Sequence, residues 1–112
     1  DGHYWAEARV DGQAVRLMVD TGASLVVLTR DDAARLGLHP SADAFTTQVA
    51  TAAGAVRAAP VRLGSVAVAG ARVDAVDALV VEADLPHSLL GMSYLGRLSA
   101  FSATPSGLTL QP

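Results

Sequence analysis

An acidic residue at the end of an apolar strand is the feature that most constrains this chain. Residues 17–24 read LMVDTGAS, so an apolar run leads directly into Asp20, Thr21 and Gly22. An unpartnered buried carboxylate is costly, so Asp20 either caps a turn or takes part in chemistry. Gly22 permits a sharp turn and a close backbone approach, and the hydroxyls of Thr21 and Ser24 can orient a carboxylate. The tripeptide alone also suits an Asx-type turn, but its setting favours a catalytic carboxylate.

Two further segments give this motif a family context. A second apolar strand follows at residues 25–28, and Ser-Leu-Leu-Gly appears at residues 88–91. Together these segments resemble the retropepsin-like aspartic proteases, in which D-T-G-A/S carries the catalytic acid and a hydrophobic-hydrophobic-Gly segment supports its loop. Residues 89–95, LLGMSYL, look most like the bacterial single-domain branch with PerP-type periplasmic members. The resemblance covers residues 4–110 and implies a mainly β, closed acid-protease barrel with one or two short helices and a pseudo-twofold internal repeat.

The resemblance also implies roles for individual residues, with no metal and no cofactor. The catalytic residue is Asp20, and Ser24 is expected to hydrogen-bond its outer carboxylate oxygen. The remaining residues expected to support the active site are Thr21, Gly22, Ala23, Ser24, Leu89, Leu90 and Gly91. The flap that closes over substrate is expected at Thr51, Ala52, Ala53, Gly54, Ala55 and Val56. This hairpin lacks both the glycine-rich tip of retroviral flaps and the tyrosine of pepsin-type flaps, so a simple surface hairpin is the alternative.

Size and composition limit what the chain can do. Its 112 residues form one domain, residues 1–112, which is too small for two lobes with a cleft between them. A hydrophobic fraction of 51% indicates that part of the apolar surface is an interface. The net charge of −3, without a basic run, argues against nucleic acid as a partner. The absence of cysteine excludes a thiol nucleophile, and His3, His39 and His87 lack the spacing of metal ligands.

The alternation of apolar residues predicts the first half of the fold. Residues 3–10 alternate as a half-buried strand, and Asp11-Gly12 is a strong hairpin signal before a strand that ends at Asp20. Thr29 is predicted to cap a helix of about two turns that stops at Gly37.

The second half repeats this order of elements. A hairpin over residues 45–60 is followed by strands on either side of Ala69-Gly70, which matches the Asp11-Gly12 hairpin. Within this repeat, Asp20-Thr21-Gly22 is matched with Leu89-Leu90-Gly91. A short helix over residues 91–97 is predicted to point Met92, Leu95 and Leu98 inward, and residues 99–110 are predicted to form a closing hairpin.

Peptide hydrolysis by carboxylates needs two acids about 3 Å apart that share one proton. Only Asp20 is suitable here, so the prediction is a homodimer in which each chain contributes one Asp20 to a dyad and the domain is half of the enzyme. The expected substrate is an extended peptide or protein, such as the periplasmic part of a membrane protein, and the expected location is the periplasm or its membrane face. A binding or dimerisation module without turnover, and a pairing with a different chain that supplies the second acid, are the alternatives.

Overall fold

Nine strands and two short helices form the part of the chain that can be described. The computed structural model describes residues 4–51, 54–98, 100–104 and 107–111. The strands are β1 (Trp5–Val10), β2 (Gln13–Val19), β3 (Val26–Leu28), β4 (Thr47–Thr51), β5 (Gly54–Val68), β6 (Ala71–Val81), β7 (Ser88–Leu90), β8 (Ala100–Thr104) and β9 (Gly107–Gln111). The helices are α1 (Arg30–Arg35) and α2 (Met92–Leu95), with a 3-10 turn at Ala42–Ala44. Within the described ranges, neither helix has the length and apolar character needed to cross a bilayer.

Six of the strands close into a barrel. The sheet runs in the order β1-β2-β7-β3-β6-β5, and β5 pairs back onto β1. Among the described strands, β4 lies outside this ring and pairs with the first part of β5, and β8 and β9 form a separate antiparallel hairpin. The prediction of a mainly β, closed barrel with short helices is therefore confirmed. The predicted closing hairpin is also present, although Ser99, Pro105 and Ser106 fall outside the described residues.

The strand registers relate the two halves of the chain. Strand β2 pairs parallel to β7, with Leu17 opposite Ser88, and β3 pairs parallel to β6, with Val26 opposite Ala78. Each half thus inserts its short strand beside the hairpin strand of the other half. The registers also correct one match that the sequence suggested between the two halves of the chain. Strand β7, which ends in Leu90 before α2, corresponds to β3 before α1, so the Asp20 loop corresponds to residues 82–87 rather than to Leu89-Leu90-Gly91.

Turn and cap residues set the local geometry as the sequence predicts. Asp11 and Gly12 have φ angles of 49° and 84°, and Ala69 and Gly70 have nearly the same values, 52° and 83°. Such pairs of positive φ values define the two-residue turn that matches the twist of a hairpin. The Thr29 side chain accepts a hydrogen bond from the Asp32 amide and caps α1.

Helix α2 departs from the prediction at one residue. Leu95 is buried as expected, but Met92 is exposed, and Tyr94 occupies the interior position instead. A helix of four residues presents only one turn to the core. The Tyr94 ring fills that space, and its hydroxyl donates a hydrogen bond to the Ala71 carbonyl at 2.5 Å. Burial raises the pKa of this phenol.

Candidate active site

The loop after β2 holds Asp20 in a tight turn. The Asp20 amide donates to the Leu90 carbonyl at 3.1 Å, and its own carbonyl accepts from the Ala23 amide at 3.2 Å. One carboxylate oxygen accepts a hydrogen bond from the Gly22 amide at 2.9 Å. A Cβ at Gly22 would lie 3.2 Å from that same oxygen, so glycine leaves space for the carboxylate. Asp20 is half-buried, and its orientation is fixed by backbone donors.

Beneath this loop lies the segment that follows β7. Gly91 is buried, and a Cβ there would lie 2.1 Å from the Leu25 carbonyl oxygen and 2.8 Å from that of Ala23. The next amide, of Met92, donates to the Ala23 carbonyl at 2.8 Å. The Leu-Leu-Gly segment therefore contacts the Asp20 loop through backbone atoms, and only glycine fits at the point of contact.

The hydroxyls of Ser93 and Ser88 join the elements that surround this loop. Ser93 accepts a hydrogen bond from the Val26 amide at 2.8 Å and donates to the Asp77 carbonyl at 2.7 Å, which joins α2 to β3 and β6. Ser88 is buried and donates to the Asp32 carboxylate at 2.5 Å. This hydrogen bond links α1, which carries Asp32, to β7.

An apolar cleft opens in front of Asp20. Its volume is about 950 Å³, which is within the range of small-molecule and peptide sites. Its floor overlaps a small hydrophobic cluster that includes the buried Val27 and Leu79 and the half-buried Leu89. Asp20 and His87 are the two titratable residues that line the cleft within the described part of the chain. The cleft thus combines an apolar wall with a single carboxylate.

The structure brings most of the predicted loop residues to the cleft. Asp20, Gly22, Ala23, Ser24 and Leu89 line it. Leu90 and Gly91 are buried behind it. Thr21 and Ser24 are exposed, and neither hydroxyl has a hydrogen-bond partner among the described residues.

The predicted flap hairpin also borders the cleft, but through its first strand. The lining residues are Thr47, Gln48, Val49 and Ala50. Gly54, Ala55 and Val56 lie on β5 and do not line the cleft, and Ala52 and Ala53 fall outside the described residues. Arg57 secures the base of the hairpin, because its guanidinium donates to the Phe45 carbonyl and pairs with Glu82 at 3.5 Å.

Sequence reasoning missed much of the cleft wall. The residues concerned are Met18, Leu25, Val27, Leu79, Leu85, Pro86 and His87. A usable signal was the unbroken apolar runs at residues 25–28 and 78–81. A strand that is apolar at every position has two buried faces, and here the second face forms the cleft floor.

His87 belongs to a stack of side chains at one end of the cleft. Its ring meets the half-buried Trp5 edge to face, with centroids 4.6 Å apart and an interplanar angle of 89°. The guanidinium carbon of Arg16 lies 4.4 Å from the centroid of the Trp5 ring, and Arg16 also pairs with Glu7 at 3.8 Å. The aromatic contact holds an otherwise exposed imidazole at the cleft.

Comparison with known proteins gives this arrangement a context. The family model described as "gag-polyprotein putative aspartyl protease" matches residues 6–97. An uncharacterized protein from the cobV 5′ region of Sinorhizobium sp. is 38% identical over 99% of this chain, which covers 48% of that protein. An uncharacterized protein of Rickettsia prowazekii (strain Madrid E) is 40% identical over 90% of this chain and 43% of its own length. The chain therefore spans about half the length of the curated relatives it matches.

Two solved structures are similar to the whole barrel. A retropepsin-like aspartic protease from Rickettsia conorii superposes with a TM-score of 0.82 and 38% identity, covering 98% of this chain and 90% of its own. EIAV protease in complex with the inhibitor HBY-793 gives a TM-score of 0.69 with 21% identity, covering 86% of this chain and 88% of its own. The second similarity concerns the fold alone.

Proposed function

Because this chain belongs to the gag-polyprotein aspartyl protease family and has the retropepsin-like fold, we propose that it is an aspartic endopeptidase that works as a homodimer. The observation that carries this proposal is the cleft. Among the described residues that line it, Asp20 is the one carboxylate, and its backbone hydrogen bonds already fix its position. One carboxylate cannot serve as both acid and base in a concerted hydrolysis, so a second copy of the chain supplies the other.

The proposed reaction needs only the two carboxylates and a water molecule. Two carboxylates about 3 Å apart share one proton, because like charges at that distance cannot both ionise. The ionised Asp20 removes a proton from water, and the hydroxide attacks the scissile carbonyl carbon. The protonated Asp20 of the other chain donates a hydrogen bond and then its proton to the carbonyl oxygen. Collapse of the tetrahedral intermediate moves a proton to the leaving nitrogen and breaks the C–N bond.

Strand β4 and the apolar cleft wall provide the proposed peptide-binding surface. Strand β4 is an edge strand that borders the cleft, so an extended peptide can pair with its free backbone groups while its side chains enter the apolar wall. The proposed substrate is therefore an extended peptide segment. A periplasmic location and a membrane-protein substrate are part of the proposal and rest on the family resemblance alone.

The test is peptide-library digestion at several pH values with Asp20→Asn chains as the control. The amide is nearly isosteric but cannot accept the proton from water, so cleavage should fall at least 10²- to 10⁴-fold, roughly the contribution of general base catalysis. Retained cleavage by Asp20→Asn would refute the dyad. Peptide binding without cleavage by the wild-type chain would instead support the alternative of a binding module.

Mixing the two chains separates the homodimer from the other assemblies. With a ninefold excess of Asp20→Asn chains and random pairing, about one tenth of the wild-type chains keep a wild-type partner, so the activity should fall about tenfold. A matched control uses excess Asp31→Asn, which changes an exposed carboxylate on α1 outside the cleft and should not reduce activity. Indifference to Asp20→Asn would indicate a self-sufficient chain, and inactivity of the wild-type chain alone would indicate a different partner.

A further inference from the structure

The end of the cleft at His87 differs chemically from the rest of its wall. Most of the wall is apolar, and among the described lining residues the titratable groups are Asp20 and His87. His87 is exposed to the cleft, and its edge contact with Trp5 limits where the ring can point. A titratable group with a fixed orientation at the edge of an apolar pocket is the kind of group that selects one substrate side chain over another.

The two side chains that contact the Trp5 ring at this end, His87 and Arg16, both carry N–H groups that can donate to a carboxylate. A shared-proton dyad is active in acidic solution, and histidine is the side chain that changes charge between about pH 5 and 8. The charged groups on the elements around His87 are Glu7 and Arg9 on β1, Arg16 on β2, Asp20 after β2, and Glu82 and Asp84 in its own loop. Glu7 and Arg16 pair with each other, and both are largely exposed. The Arg16 guanidinium lies 4.4 Å from the centroid of the Trp5 ring, the same ring that His87 contacts.

We propose that the His87 end of the cleft recognises an acidic side chain of the substrate, so that the enzyme prefers glutamate or aspartate at one subsite. This inference rests on the proposed endopeptidase function and deepens it by naming the chemical class of one substrate residue. In a twofold dimer each chain contributes one His87, so the two subsites lie on opposite sides of the scissile bond. His87 is exposed at the cleft edge, so the preference is correspondingly modest, about two- to fivefold in kcat/KM, as is usual for exposed pairs.

The experiment compares peptides that differ only in charge. Starting from a cleaved sequence, each position in turn carries either glutamate or its neutral isostere glutamine. At pH 5.5 a peptide glutamate is largely ionised, and one position on each side of the scissile bond should show a Glu/Gln ratio in kcat/KM of about two to five. At pH 7.5, where histidines are mostly neutral, the ratio should approach one.

Variant chains identify the group that is responsible. His87→Gln should bring the ratio at pH 5.5 to about one. His39→Gln is the matched control, because it removes an exposed histidine that does not line the cleft, and it should leave the ratio unchanged. The readout is a ratio between two peptides, so a general change in activity does not affect it. A ratio that survives His87→Gln, or that disappears only in Arg16→Gln, would overturn the assignment to His87.

A binding measurement separates this inference from the proposed function. A peptide selected from the same library for binding is prepared in Glu and Gln forms, and the two Kd values are measured at pH 5.5 with Asp20→Asn chains, which should not turn over substrate. If the Glu peptide binds more tightly to Asp20→Asn chains, and this difference is lost in chains that carry both Asp20→Asn and His87→Gln, the subsite is supported even if the wild-type chain cleaves nothing. Cleavage by the wild-type chain without any Glu preference in rate or Kd overturns the subsite and leaves the protease proposal in place.

Discussion

Replacing Gly91 with alanine tests whether the close contact between Gly91 and the Asp20 loop fixes the position of that loop. The φ angle of Gly91 is −98°, which any residue can adopt, so the effect of a side chain is steric rather than conformational. The added Cβ would lie 2.1 Å from the Leu25 carbonyl oxygen and 2.8 Å from the Ala23 carbonyl oxygen. Both neighbours are backbone atoms of the loop that carries Asp20. They cannot move aside without moving the loop.

The size of the effect follows from these distances. A Cβ essentially never lies closer than 3.0 Å to another heavy atom, so the Leu25 oxygen must move away by about 0.9 Å. Overpacking of this kind costs about 1–3 kcal/mol of unfolding free energy. For a domain of this size, each kcal/mol lowers the midpoint of thermal unfolding by roughly 4–8 °C. A misplacement of about 1 Å at the reacting group lowers the rate by about 10²-fold.

The assay measures thermal unfolding and kcat/KM on the same samples of Gly91→Ala and of a control, Gly12→Ala. Gly12 has a φ angle of 84° and open space around it, so alanine there costs about 1–2 kcal/mol through backbone strain. It also lies at the end of β2 opposite to Asp20. Both variants should lose stability, but only Gly91→Ala should lose about 10²-fold in activity. Wild-type activity in a destabilised Gly91→Ala would show that the contact supports the fold without positioning the carboxylate.

Two further variants test a buried phenol and the proposed subunit contact. Tyr94→Phe removes the hydrogen bond to the Ala71 carbonyl and should cost about 1–3 kcal/mol in denaturant unfolding. Burial raises the pKa of Tyr94 above 10.0. The stabilisation by the protonated hydroxyl should therefore be complete below pH 10 and lost as the pH rises through the folded-state pKa. Above pH 10, the unfolding free energy of the wild-type chain should fall more steeply than that of Tyr94→Phe. The Thr21 hydroxyl is exposed beside Asp20, and we expect it to form a hydrogen bond across the axis of the proposed homodimer, so Thr21→Ala should raise the dimer Kd by about 5- to 30-fold in sedimentation. An unchanged Kd would remove Thr21 from the contact.

The local elements were predictable because their signals are local. Asp11-Gly12 specifies its turn through positive φ angles, and Thr29 caps α1 through a hydroxyl three residues from its partner amide. Met92 was placed wrongly because spacing along a helix identifies a face but not which face meets the core. The aromatic ring of Tyr94 fills the interior position instead, and its hydroxyl finds a carbonyl that is 23 residues away in the sequence.

The cleft was predictable only in part because its wall is assembled from distant segments. The Asp20 loop could be identified from one motif, whereas Leu79 reaches the wall through the parallel pairing of β6 with β3. That pairing depends on strand register across the barrel, which no local pattern encodes. The position of His87 at the cleft could not be predicted, because it depends on a contact with Trp5, which is 82 residues away in the sequence.

The pairing of the two halves explains why a single chain has one carboxylate at the cleft. Under the correspondence of β2 with β6 and of β3 with β7, the loop that bears Asp20 is equivalent to residues 82–87, and both loops line the same cleft. In the second loop the residues at the cleft are Leu85, Pro86 and His87. An internal dyad would need an acid there, and the described lining has none. The internal repeat therefore gives the described cleft one carboxylate, which is the physical reason that the proposed hydrolysis requires a second Asp20 from another copy.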